Sequence, residues 1–477
     1  IFESMGDFYS AKDQYSKALD SLPSSKQIRY SYSSMLAETK EYRKSLNEAM
    51  RIFPKDIDTW LLIGNNYRSL AIFDSSLISY HKALELDSNL LSVYYFIGAY
   101  YQQANNPDSA IWAYRHITRL MQDYNSYQQL ANIQLSAGYI DQARQSFMQS
   151  LALDSSINNI RSYVALSAIY EEAGDNDGAR KMTEAAERLE PNDLMLKKRL
   201  LGFYEEEGIL DRGIQTAIRI DSLKPDNMVK RRLGILYYRA DSLNQADSIF
   251  ASLINSGDSN LVNYYYSGQI SYDMEKYDRS KAFFEQLTVA ADTVLDGWMN
   301  LARVYYAQDS MEGAVKVYES GLNRMRSTED SMIVMYALAA AYERQNKVEQ
   351  AIKLFEIIIA NQPNNSQALN YLGYMLADRG MRLEYARELI LRALDLDPNN
   401  GAFIDSYGWV LYRLGDFPAA LQILLQAVNL IINDPVVFEH VGDAYRAIGD
   451  FKKAHEFWGK AFQLDPDSQS LREKLYQ

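Results

Sequence analysis

The feature that most constrains this chain is that it repeats itself. Trp60, Ile63, Gly64 and Tyr67 have the spacing of one helical face. Ser76, Tyr80 and Ala83 form a face on a second helix beyond a short turn. The frame returns about 34 residues later as Tyr94, Ile97, Gly98, Tyr101, Ala110 and Tyr114, and again as Tyr163, Leu166, Ser167, Tyr170 and Ala179. It recurs as Leu233, Gly234, Tyr237, Ala246 and Phe250, as Trp298, Leu301, Ala302, Tyr305, Ala314 and Tyr318, and as Val441, Gly442, Tyr445, Ala454, Trp458 and Ala461. A two-helix unit this small cannot bury a core alone, so its copies must stack into one long body.

The frame has a steric logic. A small residue at the eighth position (Gly64, Gly98, Gly202, Gly234, Gly268, Gly373, Gly408, Gly442) lets the two helices of a hairpin approach, and an alanine at the twentieth does the same from the other side. Pro54, Pro191, Pro363, Pro398 and Pro466 stop second helices, and runs such as Asp397 to Asn400 supply a turn and the next cap. These residues resemble the tetratricopeptide repeat. The expected fold is therefore all-α: an α-solenoid, a right-handed superhelix of about thirteen hairpins plus a C-terminal capping helix. Repeats are expected to start near residues 24, 57, 91, 124, 160, 195, 227, 261, 295, 332, 366, 401 and 435, with the one from Ser24 to Pro54 degenerate. The expected organisation is one continuous solenoid: 1–23 the second helix of a truncated repeat, 24–226 an N-terminal array, 227–466 a C-terminal array and 467–477 the cap. Because Ala11, Tyr15, Ala18 and Pro23 align with a second helix whose partner is missing, the parent protein is expected to continue upstream of Ile1.

Composition excludes several classes. At 47% hydrophobic residues the 477-residue chain can bury an ample core. A net charge of −13 argues against general nucleic-acid binding, which needs a basic stripe. With no cysteine there are no disulfides, thiolate zinc sites or thiol nucleophiles. No apolar run approaches the roughly 18 residues of a membrane span. His81, His116, His440 and His455 form no HExxH pair and read as surface or packing residues, and no phosphate-loop or nucleophile-elbow string occurs. The expectation is a chain that is not an enzyme, with no cofactor, metal or small-molecule substrate.

In the tetratricopeptide family the first helices line a concave face, and positions 2, 5, 9 and 12 point into it. From residue 227 onward that set includes Arg231, Tyr238, Tyr265, Gln269, Tyr272, Arg303, Tyr306, Tyr336, Asn370, Tyr374, Trp409 and Tyr412. Tyrosine, tryptophan and arginine dominate binding hot spots, so this strip is the expected protein-binding site, the alternative being rings that pack on the next hairpin. The lysine–asparagine pattern of carboxylate-clamp co-chaperones is missing: position 5 runs Leu61, Tyr95, Gln128, Val164, Arg199, Arg231, Tyr265.

Two strings near the C-terminus, LGYMLADRG from Leu372 and DSYGWVLYRLGD from Asp405, resemble a bacterial group that includes the outer-membrane lipoprotein partnering the periplasmic carboxyl-terminal processing protease. That resemblance implies a periplasmic, outer-membrane-associated adaptor that docks the protease and presents its substrates, although the lipid-bearing cysteine is not in this sequence. Asp-Ser/Thr-apolar triplets at Asp20, Asp108, Asp221, Asp241, Asp247, Asp292, Asp309 and Asp330 resemble acceptors of bacterial O-glycosylation, and several also suit turns where Asp or Ser caps a helix. The leading expectation is an adaptor for protein partners. The rivals are a structural subunit of a larger envelope or secretion assembly and a glycan-binding or enzymatic protein.

Overall fold

Helix approach within a hairpin is set by a small residue of the first helix and a large side chain of the second, sixteen residues on, as at Gly64 and Tyr80. The computed structural model describes residues 7–476 and contains twenty-eight α-helices. A lone helix α1 (Phe8–Ser21) precedes the hairpins α2 (Lys26–Glu38)/α3 (Tyr42–Met50), α4 (Ile57–Ser69)/α5 (Phe73–Leu86) and α6 (Leu91–Gln103)/α7 (Pro107–Met121). Next come α8 (Tyr124–Ser136)/α9 (Ile140–Leu153), α10 (Ile160–Glu172)/α11 (Asn176–Leu189) and α12 (Leu194–Glu206)/α13 (Leu210–Leu223). The chain divides into two compact units between Pro225 and Asp226. The second holds α14 (Asn227–Arg239)/α15 (Leu243–Asn255), α16 (Leu261–Asp273)/α17 (Tyr277–Ala290), α18 (Leu295–Ala307)/α19 (Met311–Leu322) and α20 (Thr328–Arg344)/α21 (Val348–Asn361). It continues through α22 (Ser366–Asp378)/α23 (Leu383–Leu396), α24 (Gly401–Arg413)/α25 (Phe417–Leu430) and α26 (Pro435–Ala447)/α27 (Phe451–Leu464) to a cap, α28 (Gln469–Tyr476). The fold is an all-α solenoid of thirteen helical hairpins among the described residues. The expectation about a missing partner for α1 falls on residues 1–6, outside them.

At most crossings a glycine or another small residue of the first helix lies under a large side chain of the second. A Cβ on Gly64 would meet the Tyr80 ring at 2.8 Å, and one on Gly268 the Phe284 ring at 2.7 Å. Tyr80 then finds Asn65 Oδ1 for its hydroxyl at 2.6 Å, which satisfies its polar tip. Where serine replaces the alanine, its hydroxyl donates across the hairpin, as Ser280 does to the Gly268 carbonyl at 2.8 Å. The degenerate first hairpin uses the same device twice: Ser33 and Ser45 exchange hydrogen bonds with each other's carbonyls at 2.7 Å.

One frame glycine does not behave as expected. A Cβ on Gly202 would meet nothing within 4 Å. Here α12 starts at Leu194, one residue before the expected 195, which puts the fully buried Leu201 at the eighth position, and the residue sixteen on, where other hairpins set a large side chain, is the fully buried Ala217 on α13. The large and small residues have traded helices. Two other starts also move, to Lys26 instead of 24 and to Thr328 instead of 332, the latter adding a turn to α20.

Each first helix ends in a left-handed residue. Gly138 and Gly415 adopt φ of +80° and +89°, but Ala71 and Glu275 also sit there, at +58° and +59°, where a Cβ is strained. Ser242 and Ser310 precede second helices without a side-chain capping bond, so the capping role considered for those Asp-Ser pairs is not made. Second helices stop two residues before Pro191, Pro363, Pro398 and Pro466.

The cap is pinned by charge as well as packing. Leu471 is buried, and Lys474 Nζ reaches Glu439 at 2.6 Å and Asp443 at 2.7 Å on α26. Lys474→Met would leave two half-buried carboxylates side by side. We expect a loss of about 1–2 kcal/mol, seen as a lower urea midpoint and faster proteolysis near the C-terminus. Unchanged proteolysis would show that Leu471 alone holds the cap.

Candidate protein-binding surface

All twelve sequence-predicted site residues lie on first helices of the second unit, from α14 to α24. Gln269 and Trp409 are buried and the other ten are half-buried. Successive first helices such as α22, α24 and α26 pack directly on one another, which brings these side chains into a nearly continuous strip.

Much of the strip is bonded to itself. Arg231 donates to Asn263 Oδ1 at 3.0 Å and to Asp258 at 2.8 Å. Tyr238 donates to Asp273 at 2.8 Å; burial, then that neighbouring carboxylate, pushes its phenol up to about 12. Gln269 donates to Asn300 at 2.8 Å and accepts from Arg303, whose guanidinium lies 4.0 Å from the centre of the Tyr272 ring. This is a cation–π contact in a partly desolvated place. The rings of Tyr265 and Tyr306 pack edge-on or tilted against Phe284 and Tyr318 on their own second helices. Tyr336 sits edge-on to both Phe355 and Tyr371, and burial raises its phenol to about 12. Burial also raises Tyr374, with Asp378 and Asp405 adding to it. These phenols remain protonated at neutral pH and offer neutral donors.

The strip ends in a stack that the sequence reading missed. Trp409 lies between Tyr412 (4.8 Å between ring centres, 6° between planes) and the buried His440 (4.1 Å, 13°). His440 Nδ1 is 3.1 and 3.0 Å from the two carboxylate oxygens of the buried Asp405. Asp405 occupies position 5 of its repeat, one of the four inward positions, so its place was open to inspection. His440 stands at position 6, where the frame gave no signal.

Five polar atoms beside these residues are buried with no hydrogen-bond partner among the described residues: Arg303 Nε, Gln345 Oε1, Asn370 Oδ1, Arg379 Nε and Trp409 Nε1. A buried unpaired donor or acceptor costs about 1–3 kcal/mol, and although four more such atoms lie elsewhere, at Asn66, Arg199, Ser267 and Ser271, these five are the ones a partner on the strip could satisfy. Two open cavities adjoin the same helices. One of about 550 Å³ is lined by Tyr336 with Met299, Met332, Ile333 and Gln362, against the extra turn of α20. The other, of about 260 Å³, is an apolar one beside Tyr265 and Val294. No described helix is long and apolar enough to cross a membrane.

Residues 124–157 and 336–401 match family models described as tetratricopeptide repeat. The chain is 32% identical over 177 residues to a TPR repeat-containing protein of Pseudomonas aeruginosa, covering 37% of this chain and 28% of that protein. It is 21% identical over 409 residues to the protein CTR9 homolog of Arabidopsis thaliana, covering 79% and 37%. It is also 25% identical over 163 residues to bacteriophage adsorption protein A of Escherichia coli, covering 34% and 16%. The chain thus spans well under half the length of these relatives. Among solved structures, the APC/C hetero-tetramer Cut9–Hcn1 aligns with 100% of this chain and 87% of its own at 16% identity and a TM-score of 0.40. The Naa15/Naa10 complex bound to HypK gives 15%, 100%, 77% and 0.40 in the same order of identity, coverages and score. The chain carries tetratricopeptide repeats, an architecture that serves in general as a protein-interaction scaffold and is typically non-catalytic.

Proposed function

We propose that the second unit binds extended segments of partner proteins along its first-helix strip, on the concave side that such helices line in this repeat. The observation that carries the reading is the row of unpaired buried atoms, donors at Arg303, Arg379 and Trp409 and acceptors at Gln345 and Asn370, interleaved with half-buried tyrosines. A peptide backbone supplies both complements, and the rings supply apolar area at modest entropic cost. Two partners held on one array gain effective concentration, which is how an adaptor works without chemistry of its own.

The finer reading is an exported, lipid-anchored adaptor that presents substrates to a carboxyl-terminal processing protease. It rests on the two C-terminal strings, and the partial likeness to a bacteriophage adsorption protein fits an envelope setting. The test mixes the purified chain with that protease and a cell-wall hydrolase substrate. A complex should form, and Tyr272→Ala with Tyr306→Ala and Asn370→Ala should weaken it about tenfold or more while helicity holds. Absence of any complex would remove the protease reading. A complex indifferent to the variants would move binding to another face.

A further inference from the structure

The second helices of the first unit carry a different surface. Trp112, in the middle of α7, is 40% exposed. It is held by its neighbours without being covered: His116 contacts it edge-on at 4.9 Å between ring centres, Tyr94 at 5.6 Å, and His81 of α5 at 5.8 Å. His116 is in turn stacked on Tyr94 at 4.6 Å with planes 2° apart. An exposed indole fixed by three rings loses little rotamer freedom when a ligand covers it.

Cavities open on both sides of this indole. One of about 500 Å³ lies toward α9 and is lined by Asp108, Trp112, Arg115, Arg119, Tyr139 and Gln142 among others. The other, of about 300 Å³, lies toward α5 and includes His81, Tyr101 and Ser109. The Tyr139 hydroxyl donates to Asp108 at 2.7 Å, so this carboxylate is already engaged. Arg115 donates to Gln142 at 2.8 Å and has no carboxylate partner among the described residues. Arg119 is exposed in the last turn and likewise forms no ion pair there. Burial, then the nearby Arg119, holds His116 below the usual imidazole range, so it contributes a ring and not a charge at neutral pH. Asp108 keeps its negative charge in its bond with Tyr139, so Arg115 and Arg119 leave the cavity with one net positive charge, on a chain of net charge −13.

We propose that this groove across α5, α7 and α9 binds an acidic peptide segment whose aromatic side chain stacks on Trp112 while its carboxylates pair with Arg115 and Arg119. The spacing fixes the ligand. Trp112 and Arg115 are about 4.5 Å apart along the helix axis and Trp112 and Arg119 about 10.5 Å. An extended peptide advances about 3.3 Å per residue and turns alternate side chains to opposite faces, so the carboxylates that share the ring's face stand two and four residues from it, about 6.6 and 13 Å away, distances the long arginine side chains can bridge. Charge-assisted bonds to guanidinium and stacking on the indole then act on one short motif.

The probe is a fluorescein-labelled, glycine-spaced peptide with tryptophan followed by glutamate at the second and fourth positions after it. Fluorescence anisotropy with the full chain should show saturable binding that weakens with salt. The glutamine version of the peptide, Trp112→Ala, and Arg115→Gln with Arg119→Gln should each weaken binding about tenfold or more. Tyr272→Ala with Tyr306→Ala should leave it unchanged, which separates this site from the strip of the second unit. Trp112 and both arginines are exposed, so circular dichroism of the variants should match the parent. No binding up to about 1 mM, binding indifferent to the variants, or preference for a cell-wall oligosaccharide over the peptide would overturn the proposal.

Discussion

Gly268→Val is expected to cost the array about 3 kcal/mol, while Gly202→Ala, a frame glycine in the same sequence pattern, is expected to stabilise it by about 0.5–1 kcal/mol. The first would drive a branched side chain into the Phe284 ring, which is fully buried and meets a Cβ at 2.7, 2.7 and 2.9 Å through three of its atoms. A ring packed on all sides cannot swing away, so α16 and α17 must separate and the core beside them opens. The second adds a methyl group to a helix at a point where nothing lies within 4 Å. It removes glycine's excess freedom in the unfolded chain at no steric cost. Urea unfolding followed by far-UV circular dichroism should move the two midpoints in opposite directions. Equal destabilisation by both would mean that Gly202 is a true crossing residue and that the trade between Leu201 and Ala217 is wrong.

That pair also marks how far the sequence could be read. Hairpin number and most helix starts follow from residues whose size is dictated by helix contact: Gly64 beneath Tyr80 and Gly268 beneath Phe284 tolerate few substitutes. The trade at Leu201 and Ala217 escapes a frame written as small residue first, because the contact needs one small side and does not care which. The strip shows a second limit. Periodicity places Tyr336 and Gln269 on the first-helix face, but it cannot say that Tyr336 is shared between Phe355 and Tyr371 or that Gln269 is bonded to Asn300 and Arg303. Those contacts depend on which side chain wins a shared space between repeats. His440 and Asp405 form a pair across 35 residues, a distance at which a single sequence carries no pairing signal.

The second unit should unfold cooperatively as pH rises from about 10 to about 12. Tyr238, Tyr318, Tyr336 and Tyr342 all lie in it, and each phenol is pushed up to about 12. Burial is the largest cause in every case; Asp273 adds to it at Tyr238 and Glu319 at Tyr342. An unfolded tyrosine ionises near 10. Between those values the unfolded chain has released protons that the folded chain retains, so alkali favours unfolding. The contribution of these phenols is complete below about pH 10 and lost as pH climbs through about 12. The most enclosed, Tyr318, stands for up to about 3 kcal/mol, and Tyr238, Tyr336 and Tyr342 for less because water screens part of each phenol. Together they reach several kcal/mol, comparable with the whole stability of a modest domain. Tyrosinate absorbance and helical circular dichroism should therefore change together in an alkaline titration. Tyr318→Phe combined with Tyr336→Phe keeps the rings and removes two ionisable groups, so it should leave neutral stability nearly unchanged and shift the alkaline midpoint upward. Exposed rings among the 37 tyrosines will ionise first; if instead the whole tyrosinate change finished with the helices intact, the buried rings would be open to water and the packing described for this unit would be wrong.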